Sequence, residues 1–149
     1  MTIEAVILNT IRKTYKNDDA PKQQLYSKIL KALFRYETDQ KPVQYASQAA
    51  LAQAKKMNIN LKEMNWNNQT KVDPGRKIFH YEHCNPINTL IDAVLTGDMD
   101  VTNILNNNIV CWILKSENKK LDEAHCKSKR DGGWEKCYRE CGIEPVKIN

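Results

Sequence analysis

The chain has 149 residues, 41% of them hydrophobic and 28% charged, and a formal net charge of +5. That length suits one domain with a real apolar core, and no apolar run approaches the roughly 18 residues that a bilayer span needs. The charge excess is a mild lean towards anionic partners, far from the balance of a histone-like protein.

Met1-Thr2-Ile3-Glu4 carries neither a basic n-region nor a signal-like apolar block, which points to a soluble, cytoplasmic protein. Residues 3–15 place Ile3, Val6, Ile7, Thr10, Ile11 and Thr14 on a 3.6-residue stripe, so a helix is expected with that stripe inward. Asn17-Asp18-Asp19-Ala20-Pro21 breaks it, and Pro21 suits the first turn of a second helix over about 22–36. Leu25, Ile29, Leu33 and Phe34, with Tyr26 and Leu30, make its apolar face. After a linker at 37–42, a third helix rich in Ala and Gln is expected over 45–57. Residues 61–68 read as a short helical turn before a polar loop. Asp73-Pro74-Gly75 is a strong turn signal that delivers the chain into a strand over 77–84.

Past Pro86, helical spacing returns at 87–95 and stops at Gly97, a C-cap position. A short segment from Asp98 has Val101, Ile104 and Leu105 on one face. Asn106-Asn107-Asn108 is a tight loop by composition, and Ile109 to Leu114 is a second strand that passes straight into a polar helix over 116–123. The tail is basic, with a last short helix over 134–141. Trp66, Trp112 and Trp134 read as core residues. The expected fold is α+β, a mainly helical single domain with an embedded two-stranded hairpin and helix. Its parts are a helical stretch at 1–70, a core unit at 77–124 and a basic extension at 125–149.

The run Phe79-His80-Tyr81-Glu82-His83-Cys84 is a strand by pattern, yet it gathers two histidines, a carboxylate and a thiol. Such groups are destabilising when buried without partners, so the run calls for a ligand or a reaction. Glu82 suits a hard divalent cation. His83, neutral at pH 7 with an ordinary pKa of about 6.5, can take a proton from water. Asn118 offers a hard carbonyl oxygen as a second ligand if its helix packs across the hairpin, with Lys119 and Lys120 beside it for a phosphodiester. Alternation puts His80, Glu82 and Cys84 on one strand face and Tyr81 and His83 on the other. A bulge is one way to bring Glu82 and His83 to the same site. His80 is read as packing at the strand start or touching substrate, with a third ligand the alternative.

Glu82-His83-Cys84-Asn85-Pro86, followed by Trp112-Ile113-Leu114-Lys115-Ser116-Glu117-Asn118-Lys119-Lys120, resembles the HNH, or ββα-metal, nuclease finger of the acid-His-x-x-Pro type. The resemblance covers residues 77–124. It implies a metal-dependent DNA endonuclease in which Glu82 and Asn118 hold Mg²⁺ or Mn²⁺ and His83 is the general base. Asn106, Asn107 and Asn108 all sit where the resemblance expects the loop-organising Asn, and Asn108, directly before the second strand, is the preferred one. Arg76, Lys77, Lys127, Lys129 and Arg130 flank the finger and, with Lys119 and Lys120, would hold phosphates. By analogy the role is that of a restriction, phage or defence nuclease, and a homodimer would make double-strand cleavage natural.

Two alternatives use the same residues. One is an RNase or toxin built on the same finger. The other is a zinc-stabilised nucleic-acid-binding module without catalysis. His80, His83, Cys84, His125, Cys126, Cys137 and Cys141 suffice for a tetrahedral zinc site, and Cys137-x₃-Cys141 on a helix would share a face. The five cysteines follow no regular framework, so free thiols or metal ligands are expected before disulfides.

Overall fold

The computed structural model describes residues 1–149 as a mixed α+β domain in which a layer of helices packs beside a four-stranded sheet. The first helix, α1 (Ile3–Thr14), opens on a Thr2 side chain that accepts from the Ala5 N–H at 3.2 Å. The second, α2 (Ala20–Asp39), opens on Asp19, with Pro21 in its first turn. Then come α4 (Ile87–Thr96), which stops at Gly97 with φ +77°, and α5 (Val101–Asn106), capped by Asp100; α3 belongs to the sheet. Leu8, Ile11, Leu30, Phe34, Leu90, Val94 and Ile104 form the core that joins the four. Arg12 locks α1 to the end of α4, donating to the carbonyls of Val94 at 2.9 Å and Met99 at 2.7 Å.

Packing turns these helices differently from the expected stripes. In α1 the buried residues are Ala5, Leu8 and Ile11, whereas Ile3 and Val6 are exposed. The helix is apolar on more than one side, and contact with α4 and α5 decides which side goes in. In α2 the inward row is Leu30, Phe34 and Thr38, while Leu25 and Ile29 face solvent.

The sheet comprises β1 (Tyr45–Ser47), β2 (Phe79–His83), β3 (Val110–Leu114) and β4 (Pro145–Lys147), in the order β2-β3-β1-β4. The hairpin expected from the sequence is its β2–β3 half, which is antiparallel; β1 adds parallel to β3, and β4 closes the far edge antiparallel to β1. The expected helix over 45–57 is therefore corrected: Tyr45, Ala46 and Ser47 are strand, and α3 runs only from Gln48 to Lys56. Ser47 makes the switch, accepting from the Ala50 N–H at 3.0 Å as N-cap and donating to Glu117 at 2.6 Å. Pro145 is tolerated because β4 is an edge strand.

One face of the sheet packs Ala50 and Ala54 of α3 with Leu61 and Met64 against Phe79, Val110 and Trp112. The other packs α6 (Lys115–Glu123) and α7 (Trp134–Glu140) against Cys84, Cys111 and Ile113, with Trp134 and Tyr138 inside. Trp66 is not core: it is 42% exposed, with the Arg76 guanidinium stacked 3.7 Å over its ring. No helix is long and apolar enough to cross a membrane.

The entry to β2 is built by Asp73. Its buried carboxylate accepts from the N–H groups of Lys77 at 3.0 Å, Ile78 at 3.2 Å and Phe79 at 2.9 Å, the turn that Asp73-Pro74-Gly75 announces. Asp73→Ala strips these donors of their acceptor and should lower stability by about 3 kcal/mol. Urea denaturation of the variant checks this, and an unchanged midpoint would contradict it.

Candidate active site at the free edge of strand β2

The β2–β3 ladder runs unbroken from Phe79↔Leu114 to His83↔Val110 and continues one step to a Cys84 N–H donated to the Ile109 carbonyl at 2.9 Å. There is no bulge, so Glu82 and His83 do lie on opposite faces of the strand. They meet by another route. Because β2 is the outermost strand, a cavity of about 510 Å³ wraps its free edge, and His80, Tyr81, Glu82 and His83 all line it. Asn118 reaches the same cavity from α6, which packs on both β2 and β3. Glu82, His83 and Asn118 are thus brought together.

On one face, Glu82 is held between two partners. His80 Nε2 stands 2.9 Å from one carboxylate oxygen, and the Arg130 guanidinium pairs with the other. Lys115 Nζ lies 3.2 Å from His80 Nδ1. An ammonium can only donate, so Nδ1 accepts and the Nε2 proton of His80 points at Glu82. Burial works to raise the Glu82 pKa, but the His80 hydrogen bond and Arg130 outweigh it and hold the carboxyl below its ordinary range.

Arg130 departs from its expected role. Its side chain is 3% exposed, and besides Glu82 it donates to the carbonyls of Cys126 at 2.9 Å, His83 at 3.0 Å and Cys84. Four of the five N–H donors of a guanidinium are thereby used, so this residue braces β2 instead of facing a phosphate. Arg76 is committed to Trp66, stacking on its ring and donating to its carbonyl at 2.8 Å. Lys77, Lys119, Lys120 and Lys129 are exposed away from the cavity lining, and Lys119 sits 3.8 Å from Glu123. Of the expected phosphate contacts, Lys127 alone lines the cavity.

Two cations that the sequence reading missed stand there instead. Lys31 and Arg35 of α2 line the cavity, and neither is taken up in an ion pair. Lys28, Lys31 and Arg35 recur at one-turn intervals, a basic stripe visible in the sequence; nothing local tied it to a strand more than forty residues downstream.

Asn108 is fully buried between α5 and β3. Its Nδ2 donates to the Phe34 carbonyl at 2.8 Å and to Glu37 at 2.6 Å, so it fastens the loop before β3 to α2. The thiols are all free: Cys84 and Cys111 sit under the strands, and Cys126 lies against Cys137 and Cys141.

No three His, Cys, Asp or Glu side chains are gathered closely enough to cage a metal unaided. Mg²⁺ does not require that; one or two protein oxygens, waters and substrate phosphates suffice. Glu82 and Asn118 bring one carboxylate and one carboxamide oxygen to the cavity, the hard oxygen donors that such an ion takes.

No protein-family model matches this chain, and no curated protein or solved structure matches it. The site therefore rests on its own geometry.

Burial drives the His83 pKa from 6.5 down to about 4, against the pull of the Glu82 carboxylate. The imidazole is neutral at pH 7, the form that accepts a proton. The unfolded chain takes up this proton near pH 6.5 and the fold only near 4, so stability falls as pH drops through that window. The full contribution is roughly 3 kcal/mol. Urea denaturation between pH 7 and 4 should show a shallower decline in His83→Gln; an identical slope would contradict it.

Proposed function

We propose that this chain is a divalent-metal-dependent endonuclease that hydrolyses DNA phosphodiesters, with His83 as general base. The observation that supports the reading is the convergence of Glu82, His83 and Asn118 on one cavity that also receives the unpaired cations Lys31 and Arg35 and the ammonium of Lys127, which stands 3.7 Å from Asp122. Within this reading β2, β3 and α6 form a ββα-metal finger. The carboxylate of Glu82 and the carboxamide oxygen of Asn118 would hold the ion, with His80 able to join them. Mg²⁺ or Mn²⁺ at that position supplies a Lewis acid to the scissile phosphate and charge for the departing 3′ oxygen.

The protein's own groups do the rest. His83 takes the proton of a water whose oxygen bonds to phosphorus as the bond to the 3′ oxygen breaks. Its burial keeps it unprotonated beside the cations that attract the phosphate. Lys31, Arg35 and Lys127 balance the charge that builds on the phosphoryl oxygens. Asn118 and Glu82 approach from different elements, so the packing of α6 on the hairpin would set where such an ion is held. A cytoplasmic restriction, phage or defence role and a dimer for double-strand cutting belong to this reading by analogy.

A second reading, a zinc-stabilised nucleic-acid-binding module without catalysis, draws on the burial of Cys126 and Cys137 in one cluster, with Cys141 packed against it.

Plasmid cleavage with Mg²⁺, with Mn²⁺ and with EDTA separates the two. The wild type should nick in either metal and stop in chelator. His83→Ala should lose about 10²- to 10⁴-fold in rate while binding duplex nearly as well, and Asn118→Ala should need more metal. Full activity in His83→Ala, or cleavage in EDTA, would contradict the proposal. Cleavage of RNA alone would move the substrate to the RNase alternative. One tightly bound zinc, lost on Cys137→Ser, in a protein that cuts nothing would favour the second reading.

A further inference from the structure

We propose that Glu37, on α2 and outside the strand-strand-helix unit, is a positioning residue that sets the tautomer and orientation of His83 through Asn108. The Asn108 carboxamide is held by two acceptors on α2. Its Nδ2 lies 2.8 Å from the Phe34 carbonyl and 2.6 Å from a Glu37 carboxylate oxygen. Both partners can only accept, so the amide nitrogen must be the atom facing them; the flipped carboxamide would set oxygen against two acceptors. The orientation of Asn108 is therefore dictated by α2. Glu37 is itself held, with Lys41 at 2.8 Å from its other oxygen.

The carboxamide oxygen consequently points away from α2, and there it is buried without a hydrogen-bond partner. His83 Nδ1 is also buried without one. These two atoms belong to neighbouring side chains. His83 stands opposite Val110 in the ladder, which continues one step to Cys84 and Ile109. Asn108 precedes Ile109, so alternation carried one residue past the strand sets it diagonal to His83. The Asn108 side chain is near enough to the imidazole to favour a proton on it. Two adjacent orphans, one able only to accept, are satisfied together when Nδ1 carries the hydrogen and donates it to Asn108.

The consequence is chemical. A proton fixed on Nδ1 leaves the Nε2 lone pair as the acceptor of His83. A ring free to adopt the other tautomer would present N–H where a base is needed. Glu37 thus does for His83 what a second-sphere carboxylate does for a histidine ligand, at one remove, with Asn108 between. The inference explains why α2 is stitched to this loop by the shortest side-chain contact of Asn108.

The tautomer is read directly by long-range ¹⁵N–¹H correlation on the imidazoles of the intact protein at pH 7, with no variant and no substrate. His83 should be protonated at Nδ1 in the wild type, a mixture in Glu37→Ala, and restored to Nδ1 in Glu37→Gln, whose amide oxygen can still accept from Asn108. Wild-type His83 protonated at Nε2, or a tautomer indifferent to Glu37→Ala and Asn108→Ala alike, would overturn the proposal. The kinetic arm rests on the nuclease reading: plasmid-nicking kcat should fall about tenfold in Glu37→Ala with KM unchanged and recover in Glu37→Gln. A tautomer that follows Glu37 in a protein that cuts nothing sinks the nuclease reading and upholds this one.

Discussion

An edge strand that carries polar residues on both faces cannot be held by burial alone, and the architecture around β2 answers that constraint. One side of β2 has its ladder to β3; the other has no neighbour. At its start the Asp73 carboxylate collects three backbone N–H groups. At its end, Arg130 gathers the carbonyls of His83 and Cys84 together with the Glu82 side chain. Asn108 ties the facing loop to α2. A strand pinned at both ends can leave its edge open, and the open edge is the cavity.

The same bracing shapes the electrostatics. Glu82 stays ionised because His80 and Arg130 outweigh the effect of its burial, whereas His83, one residue on, is neutral because burial dominates. The strand thus presents a charged carboxylate from one face and a neutral imidazole from the other, both at its one free edge. The pairing has a requirement of its own. Glu82 is already engaged by two donors, so any ion bound there would have to displace His80 or Arg130 from the carboxylate.

Local chemistry made much of this legible in the sequence. Asp73-Pro74-Gly75 marked the turn, Gly97 the end of α4, and the apolar runs around 79 and 110 the two long strands. What escaped was decided by distant contacts. Tyr45-Ala46-Ser47 is three residues long and continuous with an alanine-rich helix, so nothing local separates it; pairing with β3 and β4 makes it a strand. The inward faces of α1 and α2 were likewise chosen by what they meet. Arg130 read as a surface cation among basic neighbours, but its guanidinium matches the Cys126 carbonyl together with the two carbonyls and the carboxylate at the end of β2, and it is buried there. Lys31 and Arg35 were overlooked because α2 lies far from the strand in the chain and beside it only in the fold.

We propose that this cavity is a divalent-metal site serving a phosphodiester. A crystal grown with Mn²⁺ and a non-hydrolysable DNA duplex tests it most directly, through anomalous scattering from the metal. One Mn²⁺ peak is expected, bonded to the Glu82 carboxylate and to Asn118, with a DNA phosphate beside it. A metal bound instead among Cys126, Cys137 and Cys141, or a duplex seated away from the edge of β2, would contradict it.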